Sequence, residues 1–390
     1  MNQIHVGIIG VGFIGVSHIE GLLRLGFIRI VAVADTNYEA AKRCAARFGI
    51  ARCYEDYHDL IADPEIESVH NCTPNFLHRE INLEIIQADK HIFSEKPLAL
   101  SSAETAELLD ALDRHPRVID GMNFCYRFNP LIQDAKNRIG KGEIGRPLLV
   151  HGSYLQDWML YESDYNWRVE PEYCGPSRAV SDIGSHWMDL AQVLLNARIV
   201  EVCAQTLIVY PTRKKPVRQV ETFARADSET TDVEVKTEDY AGVLVRFENG
   251  TAGSFNCSQV SAGRKCYIEI EIDGSLSSLA WQHQQGDRMW KGHRDAPNEE
   301  VLRNPLLMTA EAQQYTTLAA GHPEGWNDAF KNALSSFYSY VRSGESRGEA
   351  PCDFATFSDG HYLLLLAEAI LKSAREKRWV KIDDPHRPHR

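Results

Sequence analysis

Short β-type runs alternate with amphipathic stretches through the first third of the chain. Ile4–Ile9, Ile30–Ala34, Ser68–Asn71, His91–Ser94 and Val118–Asp120 are too short for helices and predict strands. Between them, Tyr38–Phe48, Phe76–Ala88 and Ser101–Arg114 space their apolar residues at the helical period, and the last opens with a Ser101-x-x-Glu104 capping box. Strands alternating with helices predict an α/β domain over residues 1–125, a doubly wound parallel sheet wrapped by helices.

After Pro130 the rhythm changes. A helix to Gly140 is followed by a strand near Leu148–Tyr154, a polar and aromatic stretch to Cys174, and a helix over Ser185–Leu195. From Val200 onward strand follows strand. Tyr240–Phe247 turns at Glu248-Asn249-Gly250 into Thr251–Val260, and Cys266–Ile272 turns at Asp273-Gly274 into Ser275–Trp281. Asn-Gly and Asp-Gly suit tight hairpins because the central positions require positive φ. The acidic, apolar-poor span Glu221–Asp239 is expected as a surface loop, and helices return at Asp328–Arg342 and Asp359–Lys377. Residues 126–390 therefore predict a second α/β domain on an open, mostly antiparallel sheet.

Composition narrows the function classes. With 44% hydrophobic and 25% charged residues over 390 positions the chain is globular and long enough for two domains. A net charge of -12 offers no positive field for a phosphate backbone, so nucleic acid is not expected as a partner. The nine scattered cysteines include no Cys-x-x-Cys pair and are expected to be reduced. No signal-peptide pattern opens the chain and no apolar run could span a bilayer, which predicts a cytoplasmic protein without membrane contact.

The first strand runs into Gly10-Val11-Gly12-Phe13-Ile14-Gly15, where a helical pattern begins. The first glycine permits a tight turn, the second close approach of a pyrophosphate, and the third close helix–strand packing. Asp35 closes the second strand, twenty residues past Gly15. A carboxylate there can accept from both ribose hydroxyls and repel a 2′-phosphate, which favours NAD over NADP; a helix cap is the competing role. Asn71-Cys72-Thr73-Pro74-Asn75, with His78 beyond, ends a strand on the side where ligands bind parallel sheets. Thr73, Asn75 and His78 are thus candidates for the nicotinamide half, against an ordinary turn built on Pro74.

The next strand ends in Glu95-Lys96-Pro97, and much later comes Asp182-x-Gly184-x-His186-x-x-Asp189. In this order the motifs resemble the glucose-fructose oxidoreductase / inositol dehydrogenase (Gfo/Idh/MocA) family over nearly the whole chain. The resemblance implies a Rossmann domain, then an α/β domain whose sheet makes subunit contacts, and so a homo-oligomer. It also implies that Lys96, Asp182 and His186 converge beside the nicotinamide, and that the Lys96-Pro97 peptide is cis. Phe13, Ile14, Pro74, Glu95, Asn123 and the Trp167-Arg168 pair are further implied cofactor contacts, although Cys174 stands where many members carry a glycine. Tyr154-Leu155-Gln156-Asp157-Trp158 and Gly321-His322-Pro323-Glu324-Gly325-Trp326 resemble a branch that includes levoglucosan dehydrogenase.

Oxidising a secondary alcohol needs a base near neutrality and a positive group beside the developing alkoxide. His186 suits the first role, Lys96 the second, and Asp182 would orient the ring or bind a neighbouring hydroxyl. Alternatively, Asp182 caps the helix and His186 packs at its start. A metal on Asp182, His186 and Asp189 is not expected, since no second histidine or cysteine pair stands at ligand spacing. Tyr154, Gln156, Asp157, Trp158, Tyr165, His322, Glu324 and Trp326 supply the aromatic faces and directed polar groups that a polyhydroxylated ring requires; buried tryptophans and solvated acids would leave the same pattern. The leading expectation is an NAD-dependent dehydrogenase of a sugar, anhydrosugar or inositol-like polyol. An NAD-assisted glycosidase and a non-catalytic nucleotide-binding sensor are its rivals.

Overall fold

The structure is a computed structural model that describes residues 3–217 and 229–386. Strand and helix alternate first as β1 (Ile4–Ile9), α1 (Phe13–Leu23), β2 (Ile28–Ala34), α2 (Tyr38–Phe48), β3 (Arg52–Tyr54) and α3 (Tyr57–Ala62). They continue as β4 (Ser68–Asn71), α4 (His78–Gln87), β5 (His91–Ser94), α5 (Ser102–Arg114) and β6 (Asp120–Met122). All pairings are parallel, in the order β3-β2-β1-β4-β5-β6. This is the doubly wound sheet, and its order reverses between β1 and β4, where the loops after the strands part to leave a crevice. Val6, Ile8, Val33, Val69, Ile92 and Phe93 are fully buried, as strands covered on both faces require. The capping box of α5 forms with one change: Ser101 Oγ accepts from Glu104 N–H, but Glu104 reaches back to the Leu100 N–H.

The chain continues through α6 (Pro130–Gly140), β7 (Pro147–Leu155), α7 (Pro171–Cys174) and α8 (Ser185–Leu195). Then come β8 (Ile199–Leu207), β9 (Thr212–Pro216), β10 (Thr230–Glu234), β11 (Tyr240–Phe247) and β12 (Ala252–Ser258). After them lie β13 (Tyr267–Gly274), β14 (Ser278–Gln282), β15 (Arg288–Gly292), β16 (Glu299–Leu302) and α9 (Ala310–Gln313). The last elements are α10 (Trp326–Ser343), α11 (Phe357–Glu376) and β17 (Val380–Lys381). A nine-stranded sheet runs β16-β15-β14-β13-β7-β12-β11-β8-β17, antiparallel except where β12 meets β7. Helix α8 packs on it through Trp187, whose ring stacks on Phe255 and whose Nε1–H donates to the Glu269 carbonyl at 3.1 Å.

Two compact units result. The first is the chain up to Phe128 together with Trp326–Tyr362; the second is Asn129–Gly325 with the residues from Leu363 on, so the division falls inside α11. A purely sequential split at residue 125 does not capture the return of α10 to the first unit, where its Phe330, Leu334, Phe337 and Tyr338 are buried. The acidic span expected as a surface loop is also different. Residues 221–228 lie outside the described residues, but Thr230–Glu234 pairs with β9 and Thr237, Glu238 and Asp239 are buried. Asp239 there pairs with the buried Arg178 and Arg213, and Glu238 accepts from the Arg178 and Val180 N–H groups, instead of meeting solvent. Among the described residues no helix is long and apolar enough to cross a membrane, and all nine cysteines are free thiols.

Candidate functional site

In the first unit the site is built from the loops that follow β1, β2, β4 and β5. Gly10 has φ +89°, and a Cβ there would stand 2.7 Å from the Cys72 carbonyl oxygen; one on Gly15 would stand 2.0 Å from the Gly10 carbonyl oxygen. A Cβ on Gly12 would meet nothing within 4 Å, so this glycine borders open space. Helix α1 starts there with no side-chain cap and no acidic residue in its first turn, leaving its N–H groups and the positive end of its dipole open to an anion. Asp35 is not the cap of α2; Asn37 is, accepting from Ala40 N–H. The Asp35 carboxylate instead accepts from Val11 N–H at 3.0 Å and Asn37 N–H at 2.8 Å, tying the glycine turn to the end of β2.

After β4, Asn71 Oδ1 accepts from the Thr73 hydroxyl at 2.7 Å and sets the turn before Pro74 and Asn75. His78 bridges two loops, with Nδ1 2.7 Å from the Pro97 carbonyl and Nε2 2.8 Å from the Thr73 carbonyl. Burial lowers its pKa against the pull of those carbonyls. After β5, the Lys96-Pro97 peptide is cis. Glu95, 5% exposed, faces inward: Oε1 accepts from Asn123 Nδ2 at 2.5 Å and contacts His18 Nε2 at 2.9 Å, while Oε2 accepts from Lys96 N–H at 3.2 Å. Burial raises the Glu95 pKa, but His18, Lys96 and Asn123 together bring it below the ordinary carboxylate value.

In the second unit, Asp182 and His186 do not share one regular α-helix. Val180–Gly184 is a π turn that passes into α8 at Ser185, a wide-turn insertion of the kind frequent at functional sites. Gln259 Nε2 donates to Asp182 Oδ2 at 2.9 Å, and Gln259 Oε1 accepts from Arg178 Nη1 at 2.7 Å. Arg178 is itself paired with buried Asp239, which also accepts from Arg213 at 2.8 Å. Arg168 Nε lies 3.9 Å from Asp182 Oδ1, and its guanidinium covers the Trp167 ring at 4.3 Å. The His186 and Tyr154 rings are 6.0 Å apart, and both residues are buried. Asp189, 2% exposed, lies deeper in α8.

The two chain segments match family models: residues 4–120 the oxidoreductase family, NAD-binding Rossmann fold, and residues 132–280 the GFO/IDH/MocA C-terminal domain. The chain belongs to the GFO/IDH/MocA oxidoreductase family. The levoglucosan dehydrogenase of Pseudarthrobacter phenanthrenivorans is 29% identical over 98% of this chain and 99% of its own length. The myo-inositol 2-dehydrogenase of Thermotoga maritima is 26% identical over 97% and 98%. A solved levoglucosan dehydrogenase in complex with NADH and L-sorbose superposes with a TM-score of 0.88 at 28% identity, covering 98% of this chain and 100% of that one. The first unit thus carries the family's NAD-binding domain. Its residues fit that cofactor: the open space at Gly12, the uncapped start of α1 and the carboxylate at Asp35 are what a pyrophosphate and a ribose diol require.

The remaining sequence-predicted groups are engaged within their own unit. Asp157 accepts from Lys265 Nζ at 2.7 Å and Gly263 N–H at 3.0 Å, and Gln156 Oε1 accepts from Trp158 Nε1 at 2.8 Å. Trp158 and Tyr165 pack on Met159, Val169 and Val235. Buried Glu324 accepts from Thr317 N–H and Leu318 N–H and faces Arg303 at 3.3 Å, while His322 is exposed. Trp326 begins α10 in the first unit, its ring 5.0 Å from Phe330. Sequence reasoning missed Gln259, Arg178 and the His18 contact to Glu95. His18 alone carried a local sign, a histidine three residues past the last glycine of the fingerprint on the buried side of α1.

Proposed function

We propose that this protein is an NAD-dependent dehydrogenase acting on a secondary alcohol of a sugar, anhydrosugar or inositol-like polyol. The observation that carries the reading is its full-length likeness to dehydrogenases of that class, one of them solved with NADH and L-sorbose. NAD, when bound, supplies the hydride acceptor. Gly10, Gly12, Gly15 and the start of α1 would hold its pyrophosphate, Asp35 its ribose, and Thr73, Asn75, Asn123, Trp167 and Arg168 its remaining face.

The residues then divide the chemistry. Lys96 stabilises the oxygen of the reacting hydroxyl, His186 takes its proton, and Asp182, oriented by Gln259, holds the neighbouring hydroxyl or the imidazole. Tyr154, Gln156, Asp157, Trp158, His322, Glu324 and Trp326 are the further groups assigned to bind the substrate. The braced Glu95 and the Gln259 contact support these assignments because both keep a carboxylate in one orientation.

The test is a panel of anhydrosugars, aldoses and inositols with NAD, read as NADH absorbance. Turnover on at least one is expected; consumption of a glycoside with no net NADH would replace this reading by NAD-assisted glycoside cleavage. We also infer a cytoplasmic enzyme, which the nine free thiols support. A homo-oligomer formed through the nine-stranded sheet is the third inference; half-exposed Leu149 and Leu244 on that sheet support it, and light scattering measures it.

A further inference from the structure

A line of buried side chains crosses the first unit and ends beside Lys96, and the chemistry above does not use it. Ser68 Oγ lies 3.0 Å from the Tyr338 hydroxyl, which lies 2.7 Å from His70 Nε2. His70 Nδ1 lies 2.6 Å from His18 Nδ1, and His18 Nε2 lies 2.9 Å from Glu95 Oε1. Ser68, Tyr338, His70 and His18 are all 0% exposed.

Donors running one way, toward Glu95, fill every bond of the line. The Glu95 carboxylate only accepts, so His18 presents Nε2–H to it, and with His18 Nδ1 as the acceptor His70 donates from its own Nδ1. Burial, with His18 alongside, holds the His70 pKa well below the ordinary histidine value, so His70 is neutral and its Nε2 is bare. The Tyr338 hydroxyl donates to that nitrogen and accepts from Ser68. All donors point toward Glu95, whose carboxylate also holds the Asn123 amide and the Lys96 N–H.

We propose that His18, with His70 and Tyr338 behind it, acts as a positioning relay that keeps Glu95 an anion and the Lys96-Pro97 loop in its working shape. This rests on the reading of Lys96 as the group that meets the reacting hydroxyl. The other titratable and charged groups that face the line are Cys72, beside Glu95 and Tyr338, Glu67 beside Tyr338, and His78 and Lys96 beside Glu95. Phe93, Phe330 and Phe337 complete its walls.

Long-range proton–nitrogen NMR of the full chain labelled at histidine reads the tautomers without any activity. His18 is expected as Nε2–H and His70 as Nδ1–H, and the opposite tautomer at either overturns the relay. The kinetic arm compares His18→Leu, His18→Gln and Tyr338→Phe in single-turnover hydride transfer on a substrate from the panel. Removing one donor from a buried carboxylate raises its pKa. His18→Leu should therefore lose most rate at low pH, with the acid side of its profile steepening, and regain rate as the carboxyl ionises. The amide of His18→Gln still donates and should restore most of the rate, while Tyr338→Phe should shift in the same sense by less. A loss equal at every pH, or a Tyr338→Phe profile that superposes on wild type, overturns the proposal. Absence of any polyol turnover would sink the dehydrogenase reading and leave the tautomer result standing on its own.

Discussion

Asp35→Ala should move the nucleotide preference from NAD toward NADP, and the structure sets the size of the change. In the wild type both carboxylate oxygens already accept one backbone N–H, from Val11 at 3.0 Å and Asn37 at 2.8 Å, and each retains a lone pair for the ribose diol. Hydrogen bonds to a charged group contribute about 1.5–3 kcal/mol each, so losing even one of the two ribose contacts weakens NAD by roughly ten- to a hundredfold. The same change removes the charge that repels a 2′-phosphate and frees two N–H donors toward the space the carboxylate had filled. Binding of NADP should tighten by about tenfold, since charge-assisted bonds of this kind are the strong ones. The ratio of the two dissociation constants should thus change by about a hundred- to a thousandfold. Asp35→Asn separates the two effects, because its amide accepts one N–H but presents a donor to the other; it should weaken NAD without improving NADP. Calorimetric titration of the folded variants with both nucleotides measures this. A wild type that binds NADP more tightly than NAD, or an Asp35→Ala protein with an unchanged ratio, would refute the reasoning.

Lys96→Ala and His186→Ala should each slow hydride transfer by about a hundred- to ten-thousandfold with NAD affinity close to wild type, and near-normal single-turnover rates in both would remove the catalytic assignment. Gln259→Leu should lower kcat by about tenfold and raise KM for the polyol, because it leaves Asp182 Oδ2 and an Arg178 N–H without their partner; steady-state kinetics identical to wild type would sink the role of Gln259. Stability should fall on acidification. Burial lowers the pKa of His70, His91 and His283, the last to about 4, so the unfolded chain binds protons the folded chain refuses once the pH drops below the free histidine value of about 6.5. Their contribution is fully present above that pH and is lost down to the folded values; a thermal midpoint that rises between about pH 7 and about pH 5 would contradict it.

Much of this was legible in the residues because it is local. The expected bounds of β1, β4, β5 and α8 coincide with the observed ones, since short buried strands and a helix closed by Asn196 in the left-handed conformation carry their own punctuation. The glycine turn, Asp35 and the Glu95-Lys96-Pro97 loop occupy the ends of the strands on which the motifs stood. The strand Arg52–Tyr54 was not legible: three half-buried residues at a sheet edge show no period. The buried acids Glu238 and Asp239 misled for a different reason. A carboxylate destined to meet Arg178 and Arg213, as Asp239 does, or buried backbone N–H groups, as Glu238 does, has the same local composition as one destined for water, and only the fold brings those partners together.

The same limit governs the site. Glu95 and Asp182 belong to motifs, but the groups that orient them arrive from far along the chain: His18 is separated from Glu95 by 77 residues, Gln259 from Asp182 by 77, and Tyr338 from His70 by 268. In each case the donor is itself fixed from behind, His18 by His70 and Gln259 by Arg178. An amide or imidazole bonded at both ends has one orientation, and in a low-dielectric interior any other leaves a buried polar group unpaired. The orientation of each carboxylate is thereby set by a desolvation penalty paid several residues away. Substitutions deep in such a chain leave the nucleotide contacts of Asp35 and the glycine turn intact, so their signature is a loss of turnover and an altered pH profile at unchanged NAD affinity. Failure of a fold-preserving change at Gln259 or Tyr338 to show that separation would mean the carboxylates are held by their backbone alone.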